Sequence, residues 1–230
     1  MQRSLSFVLF LSFLSAPALA QGLGQGLGAS GSPHNFTDNI GGPEVGASGW
    51  NQSNELCRVC HVPHDKNSTR GSVGFLWNHG LSTRSYTMYS SSSIDGATQP
   101  QPVGVAKMCL GCHDGTVALG TFESHTGSTF ISSYGATNQI PGAALGSSLG
   151  ATHPISIVYD EAADRGLHPK TRAMGTSGTI GDVLENNMVQ CSSCHDVHDQ
   201  PGKSVPGSPL LRVAQTGATP SGLCLTCHIK

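Results

Sequence analysis

The longest apolar run in the chain lies at its start, where Leu5 to Leu14 follow Arg3 and give way to Ala18-Leu19-Ala20. A short basic start, an apolar stretch and a small-residue cleavage site are the layout of a secretory signal. Serines break the run before it reaches the roughly 20 apolar residues that a membrane span requires. Residues 1–20 are therefore expected to form a signal peptide and residues 21–230 the exported protein, without a transmembrane segment. Beyond the signal, apolar positions come in short pieces. The β-branched stretches TFISSYG, from Thr129, and HPISIVYD, from His153, predict short strands. GTIGDVLENNMVQ, from Gly178 to Gln190 with Thr176 and Ser177 as caps, predicts a helix leading into Cys191.

Composition deepens the impression of a thin core. Hydrophobic residues make up 37% of the chain, aromatics 6%, and glycine takes 30 of 230 positions. Such a chain stays loose or folds around something other than its own side chains. The formal charge of −2 becomes −3 once Arg3 leaves with the signal, and no basic stripe invites nucleic acid.

The eight cysteines supply that something. In an exported protein they would ordinarily form disulfides. Here all of them fall into CxxC pairs, each followed at once by histidine: Cys57, Cys60 and His61; Cys109, Cys112 and His113; Cys191, Cys194 and His195; Cys224, Cys227 and His228. Histidine would follow any one pair by chance about 5% of the time, so four in four is a matter of roughly a few in a million; CxxCH is the attachment signature of haem c. Zinc would account for paired cysteines but not for the histidine after each second one, and a redox CxxC ordinarily occurs once. Two cysteines form thioethers to the porphyrin vinyl groups while the adjacent imidazole ligates the iron, so four haem c groups are expected. The expected fold class is mostly irregular coil with a few short helices and minimal strand, wrapped around four haems. With each ferric haem adding roughly −1, the mature holoprotein stands near −7.

Sixth ligands decide between electron transfer and catalysis, because a closed iron leaves substrate nowhere to bind. His34, His64, His79, His125, His153, His168 and His198 lie outside the motifs, a surplus over the four required. His64 and His198 each follow a motif histidine by three residues. Neither can swing round its own porphyrin to the opposite face, so each is expected to ligate a different haem. His153, stiffened by Pro154, is a third candidate. The fourth place is open between His34 and His79; His168 reads as a surface residue, and His125 lies in a flexible stretch.

The order CxxCHxxHD followed by CLxCH occurs twice, suggesting two dihaem modules at about 50–115 and 185–230, joined by a segment rich in Gly, Ser and Thr. The runs ELCRVCHVPHD, LWNHG with Tyr86 and Tyr89 following, KMCLGCHDGTVALG, THPISIVYDEAADRGL, VQCSSCHDVHD and SGLCLTCH together resemble the extracellular tetrahaem c-type cytochromes of the cytochrome nanowire family, filaments of metal-reducing bacteria. The resemblance implies a homopolymer in which haems stack continuously and electrons pass along them. One distal histidine would be donated across the subunit interface: His64 by analogy with a related hexahaem filament, otherwise His34. It also implies exchange with other redox cytochromes and extracellular acceptors. A discrete periplasmic tetrahaem carrier needs the same ligands without a polymer interface. A multihaem reductase is disfavoured by the histidine surplus and the absence of CxxCK.

Overall fold

The structure, a computed structural model, describes residues 26–30, 32–37, 50–51, 54–63, 74–123, 125–131, 139–140, 144–200, 210–215 and 221–229. The expected signal peptide, residues 1–20, and His64 lie outside them. The described chain is mostly coil with a few short helices and little strand, in line with its composition. Helix α1 (Gly104–His113), strands β1 (Phe130–Ile131), β2 (Gln139–Ile140), β3 (Ile157–Val158) and β4 (Met188–Val189), and helices α2 (Cys191–Cys194) and α3 (Gly222–Cys227) follow in order. β1 pairs parallel with β2, and β3 pairs antiparallel with β4 through Ile157↔Val189 and Val158↔Met188. No helix among the described residues is long and apolar enough to cross a membrane.

The stretches TFISSYG and HPISIVYD do contain strands, β1 and β3. The helix expected over Gly178–Gln190 does not form: the segment makes a 3₁₀ turn at Gly181–Val183 and then strand β4. Asn186 and Asn187 take the left-handed conformation, with φ of 50° and 64°, and fold the chain back so that the Met188 N–H reaches the Glu185 carbonyl at 2.9 Å. Asparagine tolerates that region, and a helix does not continue through it. Tertiary demand on Glu185 also competes. Its carboxylate accepts from the Val105 N–H at 2.8 Å, meeting an orphan donor at the start of α1, where the helix dipole favours negative charge.

α1 buries Ala106, Met108, Leu110 and Gly111. Leu110 joins Tyr86 and Leu149 in the hydrophobic cluster, with Met88 and Ile155 packed against it. Gly111 lies so close to the Gly80 backbone that a Cβ there would stand 2.7 Å from its carbonyl oxygen. Two buried asparagines brace the amino-terminal loops: Asn35 donates to the Gly28 and Ala29 carbonyls at 3.1 Å each, and the fully buried Asn51 donates to the Phe36 and Glu55 carbonyls.

Candidate haem-binding site

Each CxxCH folds as a single helical turn. In the motifs outside α1 the histidine N–H returns to the carbonyl of the first cysteine: His61 to Cys57 at 2.8 Å, His195 to Cys191 at 3.0 Å, His228 to Cys224 at 2.8 Å. Positions three and four apart share a helix face, so both cysteines and the histidine look the same way. The residue between, at the second x, faces inward in all four motifs: Val59, Gly111, Ser193 and Thr226 are buried. α2, only four residues long, is fastened by a capping box between Gln190 and Ser193.

After that turn three motif histidines go extended and enter isolated β-bridges, His61 with Trp77, His195 with Leu211, His228 with Leu167. The backbone beside two of them is strained to meet them. Phe75, Leu76 and Leu210 hold φ of 55°, 51° and 55°, a region that costs a bulky residue about 1–2 kcal/mol. The left-handed turn brings the Phe75 carbonyl to His61 Nδ1 at 2.8 Å, leaving Nε2 as the outward nitrogen. His113 differs, being the last residue of α1, with Asp114 as its C-cap.

Opposite these rings the fold sets histidines from elsewhere in the chain. Ring centroids are 6.1 Å apart for His34 and His113, 6.2 Å for His61 and His198, and 6.2 Å for His153 and His228. His198 thus faces the first motif's histidine, not that of its own motif. His153 Nδ1 lies 2.9 Å from the Pro154 carbonyl, so its orientation is fixed by the stiff turn it begins. His34 shares its surroundings with His195 and His198 and bonds the Val197 backbone. Burial, then repulsion from His113, draws its pKa down to about 4, which holds the imidazole in the neutral form that ligates metals. Between pH 6.5 and about 4 the unfolded chain takes up a proton that folded His34 refuses. This contribution to stability is therefore complete above 6.5 and is lost as pH falls toward 4. Acid unfolding followed by circular dichroism should lose this component in His34→Ala.

His79 is placed otherwise. It is fully buried, with Nδ1 2.9 Å from the Gly80 carbonyl and Nε2 3.2 Å from that of Leu119. Each nitrogen faces a backbone carbonyl, and the ring sits beside Cys112, whose Sγ is 3.4 Å from Nε2. His168 is held by Arg172, whose guanidinium lies 2.8 Å from Nε2. No signal in the sequence separates His79 from a ligand; only its enclosure does.

All eight cysteines are free of disulfides. Their neighbours link the motifs in sequence order. Cys60 neighbours Cys112, Cys109 neighbours Cys191, and Cys227 and Cys224 neighbour Cys194. Burial raises Cys60 to about 12 and Cys194 to about 11, and pushes Cys112 and Cys227 up. Cys109 is raised chiefly as donor to Cys191, which is lowered as acceptor.

The residues present fit haem c. Two imidazoles on opposite faces of one iron, each at an Fe–N distance of about 2 Å, place their ring centroids about 6 Å apart. Large apolar side chains stand exposed beside the outer motifs, Phe75 at 62% and Ile229 at 50%, where a macrocycle would cover them. Trp50 and Trp77 bury indole N–H groups with no acceptor among the described residues, and Trp77 packs edge-on to His61. Compared with known proteins, the chain matches no family model and no curated protein.

Proposed function

We propose that the chain is a tetrahaem c-type cytochrome acting as an electron conduit, exported and polymerised into extracellular filaments that carry electrons to external acceptors. The observation that carries this reading is the set of three imidazole pairs at 6.1–6.2 Å, each joining a CxxCH histidine to one outside the motifs. The cysteine pairs Cys57/Cys60, Cys109/Cys112, Cys191/Cys194 and Cys224/Cys227 hold the haems by thioethers, and His61, His113, His195 and His228 are the proximal ligands. His198 serves the first motif's haem, His34 the second's and His153 the fourth's. With these three spent and His79 turned to backbone, His64 is assigned to the haem of His195. His34 is thereby removed as the ligand donated between subunits, and His64 takes that role. When bound, each haem supplies a one-electron ferric/ferrous couple.

What the chain's own residues do is hold and shield. Axial imidazoles close both faces, so the irons exchange electrons without binding substrate, against the reductase alternative. Cross-pairing of His198 with His61 ties the two halves of the chain together. Electron microscopy of secreted material tests the polymer. Filaments are expected from the native chain, and His64→Ala should yield dispersed subunits carrying four haems with one open iron. Dispersed native subunits would overturn the filament in favour of a discrete carrier.

A further inference from the structure

The residue after each motif histidine divides the four haem sites into two kinds. It is Val62 in the first motif and Ile229 in the fourth, but Asp114 in the second and Asp196 in the third. Both aspartates are buried, Asp114 completely. Around Asp114 every hydrogen-bonding partner is a neutral donor. Oδ2 accepts from the hydroxyls of Ser82 and of Tyr86, the latter at 2.7 Å. Oδ1 accepts from the Thr116 N–H at 2.7 Å and the Thr116 hydroxyl at 2.8 Å. Surroundings that offer only donors suit a carboxylate anion, which only accepts. Asp196 accepts from the Gln200 N–H at 2.8 Å and lies within the field of the half-buried Arg212 guanidinium, which offsets its charge.

Helix capping does not account for Asp114. It stands at the C-terminal end of α1, where the dipole opposes a negative charge, and burial adds the cost of desolvation. A positive group bound next to His113 would compensate both, and the ferric porphyrin core is such a group. The same attraction is weaker for the ferrous state, whose core is neutral.

We propose that Asp114 sets the order of reduction potentials, making the haem held by Cys109, Cys112 and His113 the lowest of the four, with the haem of Asp196 next and the two flanked by Val62 and Ile229 higher. This rests on the tetrahaem reading above. Electrons entering at either end then meet a rise at the centre, and Asp114 is a positioning residue for charge, not a ligand.

Redox titration of the holoprotein, fitted to four one-electron components, tests it. Asp114→Asn should raise the lowest component by at least a tenfold change in the ferric/ferrous ratio at fixed potential, about 59 mV for one electron. Asp196→Asn should move its component less. Tyr86→Phe removes a neutral donor that disperses the Asp114 charge and should shift the lowest component down, a sign that general loosening would not select. Unchanged low-spin electron paramagnetic resonance signals will show that the axial ligands are kept. An unmoved lowest component in four-haem Asp114→Asn overturns the inference, as does a uniform shift of all four. Should that variant fail to mature, Tyr86→Phe decides by the same component, a fall upholding the inference and no change or a rise overturning it. A native chain with fewer than four covalent haems overturns the tetrahaem reading itself.

Discussion

Replacing Cys109 and Cys112 together by alanine should remove one of four covalent haems, read by intact mass, and should do more damage than the same change in any other motif. These two cysteines sit on α1, the only helix among those described that spans more than two turns. That helix buries Met108 and Leu110 on different sides, while its start is fixed by Glu185 and its flank touches Gly80. Its thiols neighbour both Cys60 and Cys191, so motif two is the middle of the cysteine order. Losing a macrocycle there uncovers apolar surface on both sides. A lowered unfolding midpoint is expected, at about 2–4 °C for each kcal/mol lost in a chain of this length. Voltammetry should report that the remaining three haems no longer exchange electrons as one unit. Alanine at Cys224 and Cys227 should cost a haem with a smaller fall, because α3 brings only Thr226 into the interior. Equal falls for the two variants would contradict this ordering.

His198→Ala should convert one low-spin haem in four to an iron that binds carbon monoxide in the ferrous state. The altered haem should be that of Cys57 and Cys60, since His198 stands 6.2 Å from His61. Assignment is checked by combining the variant with loss of those cysteines, which should abolish the carbon monoxide difference spectrum. His153→Ala should behave alike through His228. His79→Ala is the contrasting case: it should leave all irons closed and instead lower stability by about 1–3 kcal/mol, because the carbonyl of Gly80 or Leu119 that accepts from the ring N–H would lose its buried donor. A carbon monoxide spectrum in His79→Ala, with none in His34→Ala, would reverse the assignment of the second haem.

The grouping of cysteines and histidine in each motif was legible because it is local: one helical turn holds Cys, Cys and His together wherever the rest of the chain goes. Strands β1 and β3 were legible for the same reason, from β-branched residues at Phe130–Ile131 and Ile157–Val158. The stretch Gly178–Gln190 was not, because its outcome turned on Asn186, Asn187 and a carboxylate needed eighty residues away at Val105. Asp114 and Asp196 passed unnoticed in sequence, since an aspartate after histidine reads as a solvated turn residue until its burial is known.

By itself, then, the sequence determined the repeated pattern of four cysteine pairs and four adjacent histidines, and a composition too poor in apolar bulk to fold as a dense core. Which histidines stand opposite His61, His113 and His228 was decided only in three dimensions. His34 and His79 are indistinguishable as letters, yet one ring stands opposite His113 and the other is enclosed by backbone carbonyls. The reason is physical. A proximal ligand is fixed by bonds within five residues, whereas a distal one is fixed by how loops close over distances of tens of residues. Such closure depends on packing that no short window of sequence contains.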